Sequence, residues 1–410
     1  MRLKLDSGTL LGSTVILLII ISSGTLELFK DGGARDEGLN NHVAYHGVLN
    51  YVTPAWCVMA LLVLLVIAYS RGAINLSRGK VPIAIAVLAL SSCAWTDDVL
   101  VALKAAFLVS LGTAVVVVHS AERTTEEHIR LLSMALIPLL VGSLITIFFI
   151  PSYGVSVGTH EGSWQGLFNH KNNLGTYSAV ALAVLLGWRR CGGPALIYAP
   201  AALSFFLVLG SGSLTSTGAA CVIVLLHLLT SLRLFRITTH KAWLVISALA
   251  VAAPLIITLI PMLTGGLEIE GKGTSFSGRG YIWSYLVSEF IKSPIIGHGF
   301  NSYKNSVFSG QHEGAIYSSI GFLPVSAHNG FLEAAHSMGI IGLTLSLALV
   351  VAPIWLARGT KYFPLILYVC ISATIINIFE SKLVSFNSTF FILIYTYCIA
   401  SRAASATRYK

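Results

Sequence analysis

The interval that decides how this chain is read opens Thr274-Ser275-Phe276-Ser277-Gly278-Arg279-Gly280-Tyr281-Ile282-Trp283 and passes through Ile295-Ile296-Gly297-His298-Gly299-Phe300-Asn301. It closes Ser326-Ala327-His328-Asn329-Gly330-Phe331-Leu332-Glu333. It is the longest interval between apolar runs in a sequence made mostly of apolar runs. Of 410 residues, 55% are hydrophobic and only 10% charged, with a mean hydropathy of +0.80. Water-soluble chains carry about 25% charge, so this composition describes a polytopic membrane protein.

Working outward from that interval, twelve runs reach or approach the roughly 20 apolar residues needed to cross a bilayer. They lie near 9–27, 48–69, 81–96, 100–119, 130–150, 174–188, 194–210, 217–232, 242–264, 337–357, 362–379 and 384–401. The third, sixth and seventh are short and need flanking residues or local thinning to span. The expected fold is all-α, with about twelve transmembrane helices and a large outer loop bearing short amphipathic helices. That divides the chain into 1–264 (helices one to nine), 265–336 (the loop) and 337–410 (helices ten to twelve). The first run follows Met1-Arg2-Leu3-Lys4 and resembles a signal peptide with a small-residue site at Ser22-Ser23-Gly24. It exceeds most signal cores in length, and an uncleaved helix is expected.

Basic residues fall between the runs and set the topology. With the runs alternating in direction, 17 of the 26 Lys and Arg fall on one side, in short loops and tails. The positive-inside rule makes that side cytoplasmic, together with both termini, and leaves the long loop outside. In a bacterium this is the periplasmic face of the inner membrane. The net charge of +9 is thereby a topology signal and not a nucleic-acid footprint. Histidine shows the opposite bias: His42, His46, His160, His170, His298, His312, His328 and His336, eight of twelve, fall outside. Histidine exchanges protons near neutral pH, so chemistry is expected there. Apart from Lys104 and His227, the interiors of the runs lack ionisable side chains other than Cys and Tyr. Ion-coupled transporters place acids or bases at mid-depth, which argues against a pump. The six cysteines lie in apolar runs or the Arg189-Arg190-Cys191 turn, with neither disulfide nor metal spacing.

Several polar groups stand out from this background. Arg279, between glycines, precedes an amphipathic stretch in which Trp283, Val287 and Phe290 share a face. Its planar fork matches phosphate oxygens, although a solvated or headgroup-binding arginine fits the residue type equally. His328 begins a helix with Ser326 as a candidate cap, and Asn329, Glu333 and His336 form a polar stripe along it. Such a histidine suits a general base acting on a sugar hydroxyl; residue type alone also fits a histidine anchoring a loop. In a second outer loop, His170, Lys171 and Asn172 stand at the mouth of a helix whose dipole favours an anion; an ordinary membrane-entry turn is the alternative. The hydroxyl turn Ser211-Gly212-Ser213-Leu214-Thr215-Ser216-Thr217 caps the next helix or lines a polar cavity. The outer acids Asp97-Asp98, and Asp31 with Asp36 and Glu37, read as solvated rather than metal-binding.

Taken in order, these segments resemble the O-antigen ligase superfamily, which includes O-antigen ligases and the O-antigen and exopolysaccharide polymerases. The resemblance rests on Ser91 to Ala94-Trp95-Thr96, Gly166 to Gly175 around Phe168-Asn169-His170-Lys171-Asn172, and Ser211–Thr217. It continues through Ser277-Gly278-Arg279, Ile282-Trp283, Gly297-His298-Gly299, His328 to Glu333, Gly339-Ile340-Ile341-Gly342 and the late Glu380. It implies a metal-independent, cofactor-free transferase that takes a glycan from an undecaprenyl-diphosphate carrier and passes it to an acceptor hydroxyl. The acceptor is another glycan or a lipid A-core, and the implied surroundings are the bilayer and other polysaccharide-assembly membrane proteins, with no nucleic acid. The resemblance assigns Arg279 to the leaving diphosphate and His328 to the acceptor. It places Lys171, His170, Asn172, Ser213, Trp283, Asn329, Glu333 and Glu380 around the substrates. Relatives often carry a basic residue in the hydroxyl turn, where this chain has Leu214; Lys171 is the candidate replacement. The histidine–lysine–asparagine motif favours a polymerase over a ligase. A polysaccharide or lipid carrier without chemistry is the reading from another class, although no internal repeat supports it.

Overall fold

The structure, a computed structural model, describes residues 76–120, 124–157, 160–231, 279–303 and 326–408, with scattered positions at 18–20, 22, 58, 62, 252 and 256. Eleven α-helices occupy the continuous segments. They are α1 (Lys80–Ser92), α2 (Val99–Ser120), α3 (Thr125–Phe149), the single turn α4 (Pro151–Gly154), α5 (Lys171–Arg190) and α6 (Tyr198–Ser211). After them come α7 (Leu214–Ser231), α8 (Arg279–Lys292), α9 (Gly330–Ala357), α10 (Phe363–Phe379) and α11 (Ser388–Arg408). Among the described residues the β content is one isolated bridge between Val155 and Trp164.

The expected all-helical membrane architecture is present. Among the described residues, six helices are long and apolar enough to cross a bilayer: Leu76–Trp95, Val99–Ser120, Thr125–Phe149, Leu214–Ser231, Gly330–Ala357 and Ser388–Ala406. The apolar helices Ala195–Ser211 and Phe363–Phe379 are shorter. Helix α5 has the length, but Lys171, Asn172, Asn173, Arg189 and Arg190 occupy its ends. The expected runs 9–27, 48–69 and 242–264 lie outside the described residues, except for the scattered positions.

Helix α5 is the axis of the bundle. Every residue from Leu174 to Gly187 is buried, the signature of a helix enclosed by protein on all sides. It packs against α6, α7 and α10. Two small residues allow close approach. A Cβ on Gly187 would lie 2.5 Å from the Leu365 Cα, and one on Gly175 would lie 2.7 Å from Ser211 Oγ and 2.9 Å from Ser216 Oγ. Helix α9 makes a second centre, packing against α11, α10, α1 and α8.

The two ends of the bundle differ in chemistry. At one end Arg78 and Arg402 both donate to the Ser120 carbonyl at 3.5 Å, Arg190 donates to the Thr230 carbonyl at 2.9 Å, and Lys361 pairs with Glu126. The same end starts α3 with a capping box between Thr124 and Glu127. At the opposite end the starts of α5, α8 and α9 meet the end of α10. The amphipathic α8 is held there by a small separate core of Ile282, Trp283, Leu286, Val287, Tyr303, Ala327 and Leu332.

Helix α9 begins at Gly330, ahead of the expected span 337–357, and is broken at Met338 (φ −130°, ψ 16°) and Gly339 (φ 64°, ψ −161°). The break frees carbonyls that must be paired again when buried. The Gly297-His298-Gly299 segment does this: the His298 and Gly299 amides donate to the His336 and Ser337 carbonyls, each at 2.9 Å, and Ile340 donates to the Pro294 carbonyl at 2.8 Å. Two left-handed glycines make the splice possible. A Cβ on Gly339 would sit 2.1 Å from the Ile295 oxygen, and one on Gly297 would sit 2.6 Å from the His336 oxygen.

Candidate functional site

Four helix termini bring the site together. Asn329 caps α9, with its side-chain oxygen accepting from the Phe331 and Leu332 amides at 3.1 and 3.0 Å. The cap expected at Ser326 is therefore displaced to Asn329, and Ser326 Oγ accepts from the His328 amide instead. His170 caps α5 through Nδ1, which accepts from the Asn172 amide at 3.0 Å. Helix α8 starts at Arg279, and α10 ends immediately before Glu380. Three helix N-termini thus open on this end, each favouring negative charge.

Glu380 sits where these termini converge. Its backbone carbonyl accepts from the Gly330 amide at 3.1 Å. Its Oε1 accepts a 3.0 Å hydrogen bond from Asn172 Nδ2 and lies 3.6 Å from Arg279 Nη2. Its Oε2 lies 3.6 Å from His328 Nδ1. Both 3.6 Å contacts are longer than a hydrogen bond; the first is an ion pair, and the second becomes one only when the imidazole is protonated. Burial alone would raise the Glu380 pKa, but His328, Lys382 and Arg279 together outweigh it and hold the carboxyl below its usual value. The site therefore contains a buried carboxylate at neutral pH. Burial also lowers the Arg279 pKa, opposed by Glu380; a guanidinium starts so high that it remains charged.

His328 is held under strain. Its φ of 51° lies in the left-handed region that residues with a Cβ rarely occupy, a cost that clusters at functional positions. Its Nδ1 is buried and lacks a hydrogen-bond partner. The peptide before it is fixed because Trp283 Nε1 donates to the Ala327 carbonyl at 2.9 Å. Trp283 was expected at the substrate, yet only 1% of it is exposed; the structure places it beneath the site, holding the His328 segment against α8.

The other expected residues take distinct positions. Lys171 makes no hydrogen bond or ion pair among the described residues, and its Nζ lies 4.0 Å from where a Cβ on Gly212 would stand. The lysine thus faces the hydroxyl turn. Ser213 is 5% exposed, and its Oγ shares a 3.0 Å hydrogen bond with Ser216 Oγ while its carbonyl accepts from Thr217. Glu333 carries a buried Oε2 without a hydrogen-bond partner. Burial and then the Glu333 charge push the Tyr303 phenol pKa up. His336 is engaged elsewhere, 3.2 Å from Ser302 Oγ and stacked on His298 at 4.9 Å. Ser277 and Gly278, beside Arg279, lie outside the described residues, as do Asp31, Asp36, Glu37, His42, His46 and His312. Among the described residues no group of three or more His, Cys, Asp or Glu could hold a metal, and Asp98 accepts from the Val101 amide at the start of α2.

Three polar groups escaped the reading of the sequence. Lys382 Nζ donates to Asn173 Oδ1 at 2.7 Å, and its amide donates to Asn377 Oδ1 at 2.9 Å. Ser381 Oγ accepts from the Asn329 amide at 3.2 Å. The detectable signal was Asn377, a lone amide in the apolar run Thr374-Ile375-Ile376-Asn377-Ile378.

Known proteins share this organisation in sequence. Residues 199–347 match a family model described as O-antigen ligase. A 205-residue segment is 29% identical to the exopolysaccharide production protein ExoQ of Rhizobium meliloti, covering 45% of this chain and 44% of that protein. A 117-residue segment is 32% identical to a provisionally named polysaccharide ligase of Rickettsia conorii, covering 28% of this chain and 27% of that protein. The chain thus aligns with less than half the length of these relatives. Through residues 199–347 and these partial alignments, the chain is similar to the O-antigen ligase family.

Proposed function

We propose that this protein is a glycosyltransferase that moves a glycan from undecaprenyl diphosphate to an acceptor hydroxyl at the periplasmic face of a bacterial inner membrane. Similarity to the O-antigen ligase model and to the two relatives supports a role as a polysaccharide polymerase or ligase. The observation that carries the finer reading is the convergence of Arg279 and His328 on one buried carboxylate at the end of the bundle away from its basic loops. The acceptor oxygen bonds to the anomeric carbon of the donor sugar as the bond from that carbon to the diphosphate oxygen breaks. The bonding pair leaves with the diphosphate, and the acceptor proton passes to His328. Arg279 meets the charge growing on the leaving group, where a fixed cation acts most strongly. Lys171, at the start of α5, supplies a second cation. No step in this chemistry requires a metal.

We assign the chain first to polymerisation of a surface polysaccharide, in keeping with the name of the Rhizobium relative. Ligation to a lipid A-core is the second reading, in keeping with the name of the Rickettsia relative. The reading includes about twelve membrane crossings, both termini in the cytoplasm and other polysaccharide-assembly proteins as neighbours. Purified protein in lipid nanodiscs, given lipid-linked glycan, should lose product about 100-fold or more in Arg279→Ala and in His328→Ala. Normal transfer by both variants would overturn the assignment in favour of a carrier without chemistry. In a deletion strain, single-repeat surface glycan marks a lost polymerase; long lipid-linked polymer absent from the core marks a lost ligase.

A further inference from the structure

Glu380 touches both halves of the proposed chemistry, and its two oxygens are divided between them. Oε1 faces Asn172 and Arg279, and Oε2 faces His328. Asn172 holds one edge by a hydrogen bond, whereas Arg279 and His328 stand at 3.6 Å, beyond hydrogen-bond reach. The carboxylate side chain is only 7% exposed, so it needs compensating charge. His328 Nδ1 is buried beside it without a hydrogen-bond partner. An imidazole acts as a base through one nitrogen only when the other carries its proton and is held in place.

We propose that Glu380 is a positioning residue that links donor binding to activation of the acceptor. With the site empty, Arg279 shares the compensation of Glu380. An incoming diphosphate carries greater charge and more oxygens for the guanidinium, and draws Arg279 away. The carboxylate then closes the remaining gap to His328 and accepts its Nδ1 proton as a hydrogen bond. That fixes the tautomer with Nε2 available to the acceptor hydroxyl. Acceptor activation therefore follows donor binding, and Asn172 keeps the carboxylate from leaving with Arg279. The other charged or titratable groups around this end are Lys382 after α10, Glu333 on α9, and Lys171 with His170 at the start of α5.

This inference rests on the proposed transferase reading, and the test separates the two. Undecaprenyl diphosphate without glycan would be titrated against wild type and Glu380→Gln in nanodiscs, and kcat and KM for lipid-linked glycan measured. Glu380→Gln should bind the probe as tightly as wild type or up to about fivefold tighter, because Arg279 is no longer shared. Its kcat should fall about 100-fold with KM little changed. Glu380→Asp keeps the carboxylate with shorter reach, so it should restore part of kcat. Equal losses of probe binding and turnover in Glu380→Gln overturn the proposal, as does near-wild-type kcat. Should Glu380→Gln fail to fold, Glu380→Asp decides alone: a lower kcat with unchanged probe binding upholds the proposal, and weakened probe binding or wild-type kcat overturns it. If Arg279→Ala and His328→Ala remain active, the transferase reading fails instead; if both are inactive and Glu380→Gln behaves as wild type, only the coupling fails.

Discussion

At the scale of single residues, the site is a small network of unequal commitments. Glu380, Asn172, Asn173 and Lys382 are already paired with one another or with Arg279, whereas Lys171 Nζ makes no such contact among the described residues. A cation at a helix N-terminus, facing a turn of buried hydroxyls, is placed to meet an anion without first breaking a bond. This is the position that a basic residue at 214 would otherwise serve, and Leu214, 90% exposed, contributes no charge there. Lys171→Ala should raise the KM for lipid-linked glycan by about tenfold or more, the loss of one charge-assisted contact, with kcat falling less. Lys171→Arg should restore most of it. Normal product formation at limiting donor would show that the lysine does not meet the diphosphate. The roles expected of Arg279 and His328 came from residue chemistry and family likeness. The carboxylate joining them could not be recognised by spacing, because Arg279, His328 and Glu380 are far apart in sequence and meet only when three helix ends are packed together.

At the scale of elements, the break in α9 does the positioning. Hydropathy showed an apolar run from 337 onward because the residues after Gly339 are nearly all apolar. It did not show the buried turns before the break, where Glu333 and His336 interrupt the apolar pattern and the burial comes from contacts with α8 and α10. Likewise Gly297-His298-Gly299 was visible as a glycine-rich motif, but its partner was not. The partner is the backbone of α9, and backbone hydrogen bonds leave no mark in side-chain pattern. The splice fixes the angle between the capped start of α9, which presents His328, and the remainder of the helix. Gly339→Ala should therefore be costly. Its Cβ would meet the Ile295 oxygen at 2.1 Å, and its φ of 64° is left-handed. We expect a loss of about 1–3 kcal/mol or more, read as a lowered midpoint of thermal unfolding in detergent. Gly359→Ala is the control, since it has the same sign of φ (74°) but meets nothing within 4 Å; it should carry only the conformational part of the cost. Equal effects at both positions would show that the contact with Ile295 is not sustained.

At the scale of the whole molecule, charge is separated along the bundle, and the proposed outer-face reaction depends on that separation. The basic loops gather where Arg78, Arg190, Lys361 and Arg402 find carbonyls and Glu126. The capped starts of α5 and α9 gather at the other end with Glu380. Sequence could reveal this polarity because it depends only on counting Lys and Arg between apolar runs. It could not reveal that α5, with charged and amide side chains at its ends, is enclosed from Leu174 to Gly187, since its surroundings come from α6, α7 and α10. The polarity makes a direct prediction about orientation. In a cysteine-free background, a single cysteine at Glu161, in the exposed turn beside the site end, should react with a membrane-impermeant thiol reagent once the outer membrane is opened. A cysteine at Gly192, in the turn after α5 where a side chain would meet nothing within 4 Å, should react only after the inner membrane is also permeabilised. Gly192 follows α5 directly, and Glu161 sits in a loop closed by backbone hydrogen bonds between Ser156 and Ser163 and between Gly162 and Ser156, so reactivity reports side rather than unfolding. The reverse pattern would put Arg279, His328 and Glu380 in the cytoplasm. Transfer would then have to occur before the lipid-linked glycan is moved across the membrane, and the periplasmic part of the proposed function would fall even if the chemistry survived.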